Sequence, residues 1–205
     1  DLGQDEEELT AQSYLSRIIL HQPNYLFNYT NLGYQTYYVD HLAVDLMKNL
    51  LFDVYRLGLI KAKMEDAEPV VRNADILSFD ISAVRAADAP GNGNAGPNGF
   101  TGEEACRVAR YAGLSDKLSA LGLFEFNPLR DQNKITAELV AQMIWYFLDG
   151  VANRSNDLPV KDSTDFARYI VRIEGQGEDV VFLRSKKTDR WWIDLSLGRT
   201  DRKKY

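Results

Sequence analysis

The residues with the clearest chemical potential lie in the segment Ser78–Ser82, which reads Ser-Phe-Asp-Ile-Ser. The apolar run Asp75–Ile81 predicts a buried strand, and open α/β sheets bind their ligands beyond the carboxyl ends of such strands. Residues two apart on a strand share a face, so Asp80 and Ser82 are expected to face one point. Paired carboxylates there would bind divalent cations, but a hydroxyl is a poor ligand for hard ions. Alternatively, Asp80 accepts hydrogen bonds from loop amides.

A second acidic residue, Glu125, lies in the apolar run Leu121–Phe126, which predicts another buried strand. A buried carboxylate is costly unless a partner compensates it. A cationic group of a substrate would pair with Glu125, and an internal Arg or Lys would do so equally well. Both interpretations stay open on the residues alone.

The remaining chemical motifs are weak. The segment Gly91–Gly96 matches G-x-G-x-x-G, but Pro97–Gly99 separates it from the next helix, so it does not fit the dinucleotide-binding fingerprint. His21 and His41 are far apart, and we expect both to be structural. Cys106 is the single cysteine. These residues indicate neither a cysteine–histidine metal site nor a Ser-His-Asp triad.

Composition narrows the class of protein. The 205 residues carry a formal net charge of −6, which argues against a nucleic-acid partner. No apolar run has the length of a membrane span, so we expect no membrane association. With one cysteine and no signal peptide, a reducing, cytoplasmic location is the simplest prediction.

Hydrophobic spacing predicts helices and strands in alternation, followed by strands alone. The predicted helices cover Thr10–Leu20, Asp40–Leu57, Glu65–Val71, Thr101–Tyr111 and Asn133–Gly150. The predicted strands cover Tyr25–Tyr29, Asp75–Ile81, Leu121–Phe126, Phe166–Ile173, Val180–Arg184 and Trp191–Leu195, with a turn at Gly175–Gly177. This order predicts an α/β body with a parallel sheet over residues 1–153, and a β-rich antiparallel meander over residues 154–205. The chain begins at Asp1 rather than Met, and we expect it to be a piece of a longer polypeptide.

Several segments resemble motifs of the ureohydrolase superfamily, which contains arginase, agmatinase and formimidoylglutamase. The last metal motif of that family is matched, except at Ser82, by Ser78, Phe79, Asp80, Ile81, Ala86, Pro90, Gly91 and Gly99. Gly99–Thr101 resembles the family's Gly-Leu-Thr helix start, and Phe124–Pro128 resembles its Glu-Val-Asn-Pro strand end. Thr136 and Ala137 match its closing helix. The resemblance covers about Asp1 to Gly150, and the Thr188–Trp192 run is similar to formimidoylglutamases with an additional C-terminal β segment.

The resemblance implies a three-layer αβα fold around a parallel sheet, here partial, and a two-manganese site whose bridging hydroxide attacks an amidine or guanidinium carbon. By this resemblance Asp80 matches a metal ligand, and Ser82 occupies the position of a second ligand Asp. Asp1 would be a ligand if Asp1-Leu2 is the tail of the Asp-Ala-His-x-Asp motif. Glu125 matches the acid that pairs with the cationic amidine of the substrate.

These matches predict a formimidoylglutamase or arginase type of ureohydrolase, which hydrolyses a non-peptide C–N bond of a linear amidine or guanidine. This chain is predicted to be inactive, because Ser82 replaces a ligand and the upstream ligand motifs are outside it. No catalytic residue is assigned. The alternatives are a pseudoenzyme that binds a small cationic amidine through Glu125, and an assembly subunit whose β extension mediates a homo-oligomer.

Overall fold

A computed structural model describes residues 14–23, 25–160, 163–172 and 179–194. The chain divides into two compact units, Asp1–Ala152 and Asn153–Tyr205. Asp1 and the predicted turn at Gly175–Gly177 lie outside the described residues. Assigning the two units to an arginase-like part and an extension stays a prediction.

The first unit alternates helices and short strands. Its helices are α1 (Tyr14–Leu20), α2 (His41–Asn49), α3 (Leu57–Ala62), α4 (Ala67–Arg72), α5 (Gly102–Gly113) and α6 (Ile135–Ala152). Its strands are β1 (Thr30–Tyr34), β2 (Asp53–Arg56), β3 (Ile76–Asp80) and β4 (Ala120–Phe124), with 3₁₀ helices at Met64–Asp66, Ile81–Ala83 and Pro128–Arg130. The second unit contains β5 (Phe166–Arg172), β6 (Asp179–Ser185) and β7 (Trp191–Asp194).

The strands of the first unit form two parallel pairs. In one pair β1 runs beside β2, and in the other β3 runs beside β4, from Ile76 opposite Ala120 to Asp80 opposite Phe124. The second unit is an antiparallel sheet in the order β5-β6-β7. The predicted α/β class, with parallel strands in the body and an antiparallel meander at the end, is therefore confirmed.

The core of the first unit lies between its helices and β3. Phe79 of β3, Phe100 before α5 and Met143 of α6 are among its buried residues. The Nε atom of Arg110 on α5 donates to the Asp149 carboxylate on α6 at 2.9 Å, so an ion pair reinforces the apolar contact of these two helices. Among the described residues, no helix combines the length and apolar character that crossing a bilayer requires.

The second unit contains a buried, hydrogen-bonded carboxylate. Asp157 is buried, and its carboxylate accepts hydrogen bonds from the Thr188 hydroxyl and, at 3.3 Å, from Nη1 of Arg190. Phe166 and Trp192 pack edge to face with ring centroids 5.6 Å apart. These contacts tie the segment before β5 to the turn before β7.

The helix predicted over Asp40–Leu57 is shorter than expected. Asp40 caps α2, but the helix ends at Asn49, and Leu51 has a left-handed φ of 60°. Asp53–Arg56 then pairs with β1 as a strand. The apolar residues Leu50, Leu51 and Val54 fit helical spacing, so periodicity alone could not detect the strand.

Two predictions about strands also need correction. The strand predicted over Tyr25–Tyr29 is irregular, and pairing begins only at Thr30; the aromatic side chains of Tyr25 and Phe27 are exposed rather than packed on a sheet. The apolar run of β3 suggested a strand covered on both faces. Phe79 is buried, but Ile76 on the opposite face is 70% exposed.

Candidate functional site

The carboxyl ends of β3 and β4 bring the predicted site residues to one edge. Asp80 is the last residue of β3 and lies opposite Phe124, the last residue of β4. Ser82 follows Asp80 within the 3₁₀ helix Ile81–Ala83, and Glu125 follows Phe124 directly. The structure therefore places Asp80, Ser82 and Glu125 at the same edge, whereas Asp1 lies outside the described residues.

Asp80 has a defined local role. Its Oδ1 atom accepts a hydrogen bond from the backbone N–H of Ser82 at 2.8 Å, which caps the 3₁₀ helix. The strand ends at Asp80, so the expected strand alternation of Asp80 and Ser82 is wrong. The observed bond is the loop-amide contact that the sequence left open as the alternative for Asp80. Among the described residues, no hydrogen bond to the Ser82 hydroxyl is formed.

Glu125 differs from its predicted setting. The sequence placed it inside a buried strand, but β4 ends one residue earlier and the Glu125 side chain is exposed. Its φ of 64° is in the left-handed region, which is uncommon for a residue with a side chain. An exposed carboxylate needs no internal cation, so the expectation of a buried partner does not hold here.

One neighbour of Asp80 was not foreseen from the sequence. Tyr14, on α1, is about half exposed, but partial desolvation of its hydroxyl raises its pKa, with smaller contributions from Tyr29 and from the Asp80 carboxylate. The sequence separation of Tyr14 and Asp80 gave no signal of this proximity. Tyr14 places a phenol beside the candidate edge.

The loop after β3 is held by backbone pairing. Val84 and Phe100 form an isolated parallel bridge. The N–H of Arg85 donates to the Phe100 carbonyl at 3.0 Å, and the N–H of Phe100 donates to the Ala83 carbonyl at 2.8 Å. A Cβ at Gly99 would lie 2.5 Å from the Arg85 nitrogen. This position of the family motif requires glycine because two backbone segments approach too closely for any side chain.

The middle of the same loop is tied to α6. The N–H of Gly91 donates to the Thr136 hydroxyl oxygen at 2.7 Å, and the N–H of Asn127 donates to the Gly91 carbonyl at 2.8 Å. A Cβ at Gly91 would meet the Asp131 Cβ at 2.7 Å. The Pro90-Gly91 pair therefore lies where the loop touches the start of α6.

Asp131 caps α6 and was not identified from the sequence. Its two carboxylate oxygens accept hydrogen bonds from the backbone N–H groups of Thr136, at 3.1 Å, and Ala137, at 2.8 Å. Desolvation acts to raise the pKa of Asp131, but the bonds from these amides outweigh it, and the pKa lies below its usual value. The carboxylate is therefore held in its charged form at the helix start, where negative charge is favourable.

The start of α5 has two further carboxylates. Thr101 and Glu104 form a capping box, with the Thr101 N–H donating to Glu104 Oε2 at 2.8 Å. Asp88 Oδ2 accepts from Arg85 Nε at 3.0 Å and from the Gly102 N–H at 2.8 Å. The Arg85 hydrogen bond in particular lowers the pKa of Asp88. These contacts fix where the loop enters α5.

The donors at the edge do not suffice for a pair of divalent cations. Two such ions need several anionic oxygens, whereas the edge supplies Asp80, which already accepts an amide, the neutral Ser82 hydroxyl and the exposed Glu125. In the described part of the chain, no group of three or more His, Cys, Asp and Glu residues could hold a metal ion. The described residues therefore do not fit a two-manganese centre by themselves.

Comparison with known proteins gives a family match that includes the residues of this edge. The Arginase family model matches residues 5–149 of the chain. An arginase of Schizosaccharomyces pombe is 31% identical over 96 residues, which cover 45% of this chain and 30% of the relative. The edge described above lies inside the matched range.

Solved structures give the same picture of the fold. A Trypanosoma cruzi formiminoglutamase, crystallised with Mn²⁺, superimposes with a TM-score of 0.57 at 21% identity, covering 61% of this chain and 45% of that one. The formimidoylglutamase of Bacillus subtilis gives 0.56 at 19% identity, covering 62% and 42%. The chain thus spans less than half the length of each of these three relatives.

Proposed function

The chain belongs to the arginase family, and we propose that it derives from a ureohydrolase of the formimidoylglutamase or arginase type. Such a protein hydrolyses a non-peptide C–N bond of a linear amidine or guanidine. The proposed chemistry uses two manganese ions that activate water. The T. cruzi relative was crystallised with Mn²⁺, which supports manganese as the metal of the hydrolase from which this chain is proposed to derive.

We further propose that this chain does not itself assemble the metal pair and is inactive. The observation that carries this proposal is that position 82, which matches a ligand carboxylate of the family motif, is a neutral serine. Its neighbour Asp80 accepts the Ser82 N–H at 2.8 Å, so one of its oxygens serves the local backbone. Because the donor set is incomplete, the described residues support no reaction step through a metal pair. The proposed partner is a small cationic amidine or guanidine.

Turnover tests this proposal. The 205-residue chain is incubated with manganese in three separate assays, one each with formimidoylglutamate, arginine and agmatine. The product formed in each assay is measured. We expect no turnover above that of the Asp80→Asn variant. Manganese-dependent turnover of any of the three substrates, lost in Asp80→Asn, would contradict the assigned inactivity.

A second candidate function, metal-independent binding, is favoured by Glu125. Its carboxylate is exposed at the edge, immediately after the residue that pairs with Asp80. An exposed carboxylate can accept hydrogen bonds from the N–H groups of an amidinium or guanidinium. A pseudoenzyme of this kind would hold the substrate class without hydrolysing it.

Calorimetry with agmatine in the absence of manganese tests the binding function. Binding that is lost in Glu125→Gln supports it. Glu138→Gln is the matched control, because Glu138 is also exposed but lies on α6. Absence of binding, or equal loss in both variants, would remove this candidate.

A further inference from the structure

A polar cleft of about 400 Å³ lies beside the carboxyl ends of β1 and β2. One wall is the segment Tyr34–Tyr37, and the other is the segment Pro97–Gly99 before α5. Neither Asp80 nor Glu125 lines this cleft. It is therefore separate from the edge considered above.

The charged residues that line the cleft are all cationic. Arg56, Lys61 and Arg85 are among the twelve lining residues, and none of the twelve is Asp or Glu. The chain has a net charge of −6, so three cationic side chains around one concave surface differ in sign from the overall charge of the protein. A concave surface lined by one sign of charge attracts ligands of the opposite sign.

Two of these cations are held in place by carboxylates outside the lining. Lys61 Nζ lies 2.9 Å from Glu104 Oε2 and donates to the Gly99 carbonyl at 2.9 Å. Arg85 pairs with Asp88 through its Nε atom only, at 3.0 Å. Asp88 and Glu104 also accept backbone amides at the start of α5. These carboxylates are thus shared with the backbone, and they fix the cations at the cleft.

Unused donors remain on all three cations. No described residue bonds to the two terminal nitrogens of Arg85, the pair that forms a bidentate fork for carboxylate or phosphate. Lys61 has three N–H donors and uses two of them. Arg56 has a single weak contact, from Nη2 to the Thr36 hydroxyl oxygen at 3.5 Å, and pairs with no described carboxylate.

The opposite walls are linked by neutral polar side chains. Gln35 Nε2 donates to the Asn98 carbonyl at 3.3 Å, and Asn98 Nδ2 donates to the Tyr37 hydroxyl oxygen at 3.3 Å. These bonds join the segment after β1 to the segment before α5. The cleft is thus formed before any ligand arrives, which lowers the ordering cost of binding.

We propose that this cleft binds a small oxyanion, a molecule with a carboxylate or phosphate group. Arg56 and the terminal nitrogens of Arg85 contact the oxygens, and Lys61 offers its third N–H donor. The site does not depend on the proposed hydrolase function, and it requires no metal. Carboxylate and phosphate share this chemistry, so separate probes distinguish them.

Calorimetry on the 205-residue chain without metal tests the proposal, with inorganic phosphate and L-glutamate as probes. Arg56→Gln is the informative variant because Arg56 is exposed and supports no described ion pair. Arg130→Gln is the matched control, since Arg130 is exposed outside the cleft. Loss of a charged donor is expected to weaken binding about tenfold. The amide NMR signals of Gly58, Asn98 and Gly99 should shift on titration.

Each outcome decides the proposal. Binding of phosphate or glutamate that Arg56→Gln weakens and Arg130→Gln leaves unchanged supports the site, and the stronger probe identifies the ligand chemistry. If neither anion binds, the proposal is wrong. It is also wrong if both variants weaken binding equally, or if the three cleft amides stay unshifted while binding occurs.

Discussion

The edge at the ends of β3 and β4 and the loop that supports it differ in how their side chains are used. At the edge, Asp80 and Glu125 are exposed, and the Ser82 hydroxyl makes no hydrogen bond to a described residue. In the supporting loop, Gly91 and Gly99 are buried and in close backbone contact. In this chain, backbone hydrogen bonds and close packing therefore hold the loop in place.

This difference explains how a ligand position can change while the motif around it persists. On the proposed account, serine in place of a carboxylate at position 82 removes charge from an accessible edge, where the Ser82 hydroxyl bonds to no described residue. Replacing Gly99 would force two backbone segments apart. If the comparison is right, substitutions in the loop reduce stability strongly, and substitutions at the edge scarcely affect it.

The largest expected effect is that of Gly99→Ala. The new Cβ would lie 2.5 Å from the Arg85 nitrogen and 2.6 Å from the Ala83 oxygen, and backbone atoms cannot move aside as a side chain can. We expect a loss of about 3 kcal/mol in the free energy of unfolding. Urea denaturation followed by circular dichroism measures it.

Gly58→Ala is the matched control for this substitution. Nothing lies within 4 Å of a Cβ at Gly58, which is in α3. We expect a gain of about 0.5 kcal/mol there, because alanine reduces the conformational freedom of the unfolded chain. Equal effects at Gly58 and Gly99 would show that the loop is not closely packed.

Asp131→Asn should have the next largest effect, since asparagine keeps only one acceptor for the two amides at the start of α6. The folded pKa of Asp131 is lowered, so its contribution is full above the unfolded pKa of about 4 and is lost as the pH falls through the folded value. The stability difference between wild type and variant should therefore shrink in acid. Asp45→Asn, at an exposed position of α2, is the control at neutral pH, where we expect a change within about 0.5 kcal/mol.

Thr101→Ala removes one side of the capping box at the start of α5. We expect a loss of about 1 kcal/mol in the free energy of unfolding, the usual cost of removing an N-cap acceptor. Thr101→Ser keeps the hydroxyl and should remain close to wild type. A loss of equal size in both variants would assign the effect to the threonine methyl group instead.

Ser82→Ala should have the smallest effect. The Ser82 contact with Asp80 uses the backbone N–H, which alanine retains. We expect a change within about 0.5 kcal/mol, as for a surface substitution. A loss comparable to that of Gly99→Ala would end the contrast between the edge and the loop.

Local signals explain which elements could be predicted. The Thr101 cap with Glu104, the long apolar face of α6 and the alternation of β5 are each contained within one segment, and all three elements form. The prediction that α2 continues past Asn49 was wrong. Leu50 and Val54 satisfy helical spacing, whereas the pairing of β2 with β1 is a long-range contact that local spacing does not reveal.

The site was predictable as a location but not in its geometry. Asp80 and Glu125 were each expected in a strand of a parallel sheet, whose ligand sites lie beyond the carboxyl ends. Only the pairing of β3 with β4 shows that the two residues share an edge. The end of β3 at Asp80, the left-handed backbone of Glu125 and the proximity of Tyr14 depend on tertiary structure. The roles of Asp88 and Asp131 likewise became visible only with the loop and helix starts in place.

Counting manganese ions bound to the 205-residue chain tests the central claim most directly. The chain is titrated with Mn²⁺, and unbound ions are measured by electron paramagnetic resonance, for wild type and Asp80→Asn. We predict no tightly bound pair of ions, and the same titration curve for both proteins. Two tightly bound ions per chain that are lost in Asp80→Asn would contradict the claim that Ser82 leaves the metal centre incomplete.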